Sequence, residues 1–165
     1  MSAEQASSIQ SQALSANLKE TAGTVHVDPR FAPLRDIVGR QPGLLAKIDA
    51  LLHEVSHPFR NWKLIIPELR SYVLKNVNIY RDHEKGPEAF ALFVGIFFDA
   101  LVESAKNESL VNRILDALLA YVDKLALNLD AATLPRYEAG LTDFARRIRE
   151  LDSSAPQLLL AIVQS

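Results

Sequence analysis

The chain has 165 residues, 48 % hydrophobic and 23 % charged, with a formal net charge of -2. That length holds one domain with a real core, and the charge balance gives no general electrostatic case for nucleic acid or an anionic membrane. The absence of cysteine excludes disulfides, thiolate metal sites and a cysteine nucleophile, and fits a reducing, cytoplasmic setting.

The start, Met1-Ser2-Ala3-Glu4-Gln5, has no basic region followed by an apolar one, so no secretion signal is expected. Residues 1–24 are rich in Ser, Gln, Ala and Glu and have little to bury. They read as a mobile polar arm, with residues 25–165 forming a single helical-bundle domain. No stretch alternates with period two, and Gly and Pro fall where helices should begin or end. The expected fold is all-α, five to seven helices around a central apolar one.

A short helix is expected over residues 31–38, before Gly39. The next begins after Gln41 with Pro42 in its first turn. Its apolar stripe is Leu44, Leu45, Ile48, Leu51, Leu52 and Val55. It should end at His57, because the residue before Pro58 is pushed away from the α region. A third helix starts near Asn61 or Pro67 and runs to Tyr80, and Pro67 must lie near its start or kink it. Then Gly86-Pro87-Glu88 opens a helix to about Ser104. It is apolar nearly all round, the mark of a central element, and Gly95 is expected to permit a close helix approach. Its longest apolar run, residues 89–98, stops at Asp99. That falls short of the ~18 residues a membrane span requires, so no membrane partner is expected.

Asn107 can cap a fifth helix with the stripe Val111, Ile114, Leu115, Leu118, Val122, Leu125. A sixth carries Leu134, Tyr137, Leu141, Phe144, Ile148 and Leu151, spaced three, four, three, four, three as in a heptad seam. Ser154 and Gln157 form a capping box that opens a last helix over residues 157–163. The sequence stops just after the apolar run 158–163, as a natural C-terminus can, although a piece cut from a longer protein is the favoured expectation.

His53-Glu54-Val55-Ser56-His57 spells H-E-x-x-H. In zinc hydrolases two imidazoles one helical turn apart hold the metal, and the glutamate is the general base. Here that would make His53 and His57 ligands and Glu54 the base. Against it, both histidines point away from the helix's apolar stripe and are expected to face water unless another segment covers the face they share with Ala46 and Ala50. His57 also sits at a helix end beside Pro58, and although Glu68, Glu84 or Glu88 could in principle supply a third ligand, none sits in a motif. The main reading is therefore a surface helix end with no metal and no cofactor, and a small zinc hydrolase is the alternative.

No phosphate-binding glycine loop or nucleophile elbow is present. Asp99 and Glu103 read as a polar strip, and Arg146, Arg147 and Arg149 as a solvated face. Arg81, His83 and Lys85 lie in a charged loop at the start of the apolar helix, where an anion or a partner's carboxylate could dock. Trp62 is a core anchor or an interface hot spot. Phe93 and Phe97 could border a small-molecule sensor pocket. These six residues are the interaction candidates of a non-catalytic domain that binds a protein partner or associates with itself.

The stretches "HPFRNW" (57–62), "LRSYVLKN" (69–76) and "HEKGPEAFALFVGIFFDAL" (83–101) resemble a helical region that precedes the catalytic modules in bacterial proteins of the phosphoenolpyruvate synthase and pyruvate phosphate dikinase type. The resemblance spans about residues 50–102. It implies an N-terminal accessory domain of a larger phosphotransfer enzyme. It includes no phosphohistidine signature and no nucleotide-grasp region, so no functional residue carries over.

Overall fold

The computed structural model describes residues 27–154, with side chains to Leu151. The polar arm (1–24) and the last helix (157–163) lie outside the described residues. Every regular element among the described residues is helical, and no helix there is long and apolar enough to cross a membrane. The chain divides into two compact units at Asn61 and Trp62.

The first unit opens with a single 3-10 turn, Pro29–Phe31. Asp28 caps it by accepting the Arg30 N–H at 3.0 Å. Two helices follow, α1 (Ala32–Ile37) and α2 (Pro42–Val55), packed on each other. Phe31, Leu34, Ile48, Leu52 and Val55 are buried. The Asp28 N–H donates to Ser56 Oγ at 3.1 Å, joining the unit's start to its last helix. Arg35 and Asp49 pair at 2.5 Å across α1 and α2. Helix α2 stops at Val55, two residues before the expected His57, and Ser56 already lies outside it as the cap.

The second unit holds α3 (Trp62–Lys75), α4 (Val77–Asp82), α5 (Gly86–Glu103), α6 (Glu108–Leu127) and α7 (Leu134–Ser154). The expected single helix from Asn61 or Pro67 to Tyr80 is two helices. Its break lies at Asn76, not at Pro67. Asn76 is buried, and its side-chain amide donates to the Tyr72 carbonyl at 2.8 Å, which that carbonyl also receives from Asn76 N at 3.1 Å. The Lys124 ammonium donates to the Leu74 carbonyl at 2.7 Å. Two carbonyls at the end of α3 thus gain side-chain donors, which stabilises a break. Pro67 lies inside α3 on its exposed face, where the Lys63 carbonyl that loses its i+4 donor is left on the solvent side of the helix.

Helix α5 is the apolar centre the sequence promised. Ala89, Phe90, Phe93, Val94, Ile96, Phe97, Phe98, Ala100 and Leu101 are all buried, and α5 packs on α4, α6 and α7. Helix α6 shares the centre, packing on α3, α4 and α5. Asn107 caps it as expected, its side chain accepting the Leu110 N–H at 3.1 Å. Tyr137 meets Phe90, and Phe144 meets Phe98 further along both helices. Therefore α7 runs parallel to α5.

Close approach occurs at other glycines than the expected Gly95. A Cβ on Gly95 would meet nothing within 4 Å. On Gly140 it would lie 3.0 Å from the Phe90 ring, and on Gly86 it would overlap the Tyr137 hydroxyl and the Tyr80 carbonyl. Gly86→Ala should cost about 2 kcal/mol or more through overpacking and a displaced hydroxyl. Gly95→Ala should be neutral or stabilise by up to about 1 kcal/mol. Denaturant unfolding of both variants checks the contrast, and equal effects would contradict this packing.

Phe59 is 87 % exposed between the helices that end and begin the two units. Brief chymotrypsin digestion should make its first cut within residues 27–154 after Phe59, as read by mass spectrometry of the fragments. A first cut inside α5 or α6 would contradict the division into units.

Candidate functional site

Six aromatic rings form the nucleus of the second unit. Phe93 meets Tyr80 edge-on at 5.1 Å between centroids, Tyr121 at 5.9 Å and Tyr72 at 6.3 Å. Phe97 and Phe90 lie against the same Tyr121 ring. Edge-to-face pairs of this kind add ~0.5–1.5 kcal/mol each beyond burial. The Tyr72 and Tyr80 hydroxyls satisfy each other at 2.6 Å inside this apolar surround. Phe93 and Phe97 are 1 % and 0 % exposed. They belong to the core, not to the rim of a pocket, because neighbouring rings occupy the space a ligand would need. Trp62 is buried too.

The charged loop before α5 is used from within. His83 Nδ1 accepts the Lys85 N–H at 3.0 Å. Arg136, on α7, donates to the His83 carbonyl at 2.5 Å and to the Glu84 carbonyl at 3.1 Å. Arg81 forks onto the Asp82 carboxylate at 2.8 and 3.1 Å and reaches the Asn128 carbonyl at 2.8 Å. That guanidinium holds the Asp82 carboxyl below its ordinary range. The Tyr137 hydroxyl donates to the Arg81 carbonyl at 2.8 Å. These bonds join the α4–α5 loop to α7 and to the loop after α6. Of the charged candidates, Lys85 keeps an exposed side chain and His83 is half-buried.

The H-E-x-x-H residues lack the geometry their spacing suggests. His57 lies beyond α2, and its Nδ1 accepts the Phe59 N–H at 3.1 Å. His53 is half-buried rather than water-facing, and its Nδ1 is shielded without a hydrogen-bond partner. A helical wheel places a residue relative to its own helix only, so the cover over this face stayed an open condition in the sequence. Among the described residues no three His, Asp or Glu come together in a way that could hold a metal ion.

A shallow, open cleft of about 240 Å³ lies between the ends of α5 and α7. Phe98, Asp99 and Val102 line it from α5, and Arg147, Glu150 and Leu151 from α7. Arg147 stacks over the Phe98 ring at 4.2 Å. Phe98 is nearly covered, but Val102 is 68 % exposed. The heptad seam of α7 is only partly used. Tyr137 is fully buried, Leu141, Phe144, Ile148 and Leu151 are half-buried, and Leu134 is 43 % exposed. No motif marks this cleft. A sequence signal for it existed in the all-round apolar character of α5, which leaves Val102 on whichever side α7 fails to cover.

Burial pushes the Tyr137 phenol up from 10.0 to about 12, and raises Tyr80 and Tyr121 further. Their folded-state values lie above the unfolded ones, so this contribution to stability is fully present below about pH 10 and lost as pH rises through the folded values. Melting temperature should therefore fall above about pH 10, and tyrosinate absorbance should appear together with unfolding. Titration of Tyr80, Tyr121 and Tyr137 near pH 10 in the folded protein would contradict the core described.

Comparison of the chain with protein-family models, curated proteins and solved structures finds no match in any of the three.

Proposed function

We propose that this chain is a non-catalytic helical interaction module and that the α5–α7 cleft is where it takes up an apolar segment. One observation carries the reading. Val102 stands 68 % exposed in a cleft floored by Phe98 and walled by Leu151. Burying one such aliphatic side chain is worth ~1.5–3 kcal/mol, so a matching apolar surface gains by covering it. Of the charged loop candidates, Arg81 and His83 are engaged with backbone groups of the fold. The setting proposed for the module, an accessory position ahead of phosphotransfer modules, rests on the resemblance of residues 50–102 alone.

Thiol reactivity tests the reading. The chain has no cysteine, so Val102→Cys creates a unique probe. If the cleft docks a segment, this thiol should react with a water-soluble reagent about tenfold more slowly than Lys106→Cys, an exposed position just past α5. Equal reactivity at the two positions, at every protein concentration, would sink the docking reading.

A further inference from the structure

A face that meets a copy of itself across a two-fold axis must complement itself. The face that carries the cleft does so in shape. Val102 projects from α5, 68 % exposed, and beside it lies the hollow of about 240 Å³ over Phe98. Projection and hollow thus share one surface. Its charges are mixed in the same way. Asp99 brings a carboxylate from α5, while Arg147 and Glu150 bring one charge of each sign from α7. Arg147 is held at this rim by its stacking over the Phe98 ring. Glu150 pairs with Arg146 along α7, but both side chains are exposed. Exposed pairs of this kind contribute little, so Glu150 exchanges partners readily. A segment of a single charge sign would be attracted by part of this rim and repelled by the rest. A second copy brings both signs and both shapes.

We propose that two copies of the chain meet at this face about a two-fold axis. Val102 of each copy sits in the hollow over Phe98 of the other, and Arg147 of each faces Asp99 and Glu150 of the other. This rests on the docking reading and names its occupant. The cleft is small, so the dimer is weak and its population follows protein concentration. An outside segment then competes with the second copy for Val102.

Sedimentation equilibrium of the full chain from roughly 1 µM to roughly 1 mM covers the range of a weak interface. The expected result is a monomer–dimer equilibrium. Val102→Asp, at an exposed position, should keep the helical circular dichroism and weaken the dimer at least about tenfold. Arg147→Glu makes the rim wholly acidic, and Glu150→Arg makes it mainly basic. Each variant alone should dimerise less than the parent, and an equimolar mixture should associate more tightly than either. A mixture no tighter than its components would overturn the two-fold pairing. A dimer indifferent to Val102→Asp and to both charge variants would place the contact elsewhere and overturn the inference. A chain monomeric throughout, with Val102→Cys still protected, would overturn it in favour of another occupant and leave the docking reading standing. A monomeric chain with Val102→Cys as reactive as Lys106→Cys would overturn both.

Discussion

The second unit depends on a place where one side chain is missing. Gly86, at the first position of α5, leaves room for the Tyr137 hydroxyl to pass over the helix start and reach the Arg81 carbonyl. That single contact sets the depth at which α7 lies on α5. Phe90 then meets Tyr137, Gly140 admits the Phe90 ring, and Phe144 reaches Phe98 one further step along. The cleft beside Leu151 lies further along this same seam, where Phe98 and Val102 of α5 face Arg147 and Leu151 of α7.

The polar groups near this contact act on the backbone. Arg136, Arg81, Lys124 and Asn76 all donate to main-chain carbonyls near helix ends or loops. Carbonyls there lack partners in their own helix, and a cationic donor answers both the missing hydrogen bond and the negative end of the helix dipole. Charged residues that look like a binding loop in one dimension thus serve as fastenings in three.

Most of the helices were legible in the sequence because periodicity and punctuation agreed. Pro42, Gly86-Pro87 and Asn107 mark true starts, and the all-apolar stretch after Pro87 is the buried α5. Three features were not legible, each for a definable reason. The break at Asn76 arises from a buried side-chain amide bonding the carbonyl one turn back, while Pro67 drew attention as the stronger local signal. The tight glycines are Gly86 and Gly140 rather than Gly95, because close approach depends on which neighbour faces the position. The role of Arg81 and His83 could not be read before it was known that α7 returns to the loop that holds them. The cleft itself was signalled only by an excess of apolar positions on α5 and α7.

Helix α7 packs chiefly on α5, whereas α6 is gripped by α3, α4 and α5 together. The bundle therefore has an order of disassembly built into it. Detaching α7 uncovers Phe98, the start of α5 and the Phe90 edge of the ring cluster, but removes none of the contacts that Phe93 makes with Tyr72, Tyr80 and Tyr121. Such a unit can loosen at one edge without losing its centre, and whatever grips the end of α7 acts as a brake on that loosening.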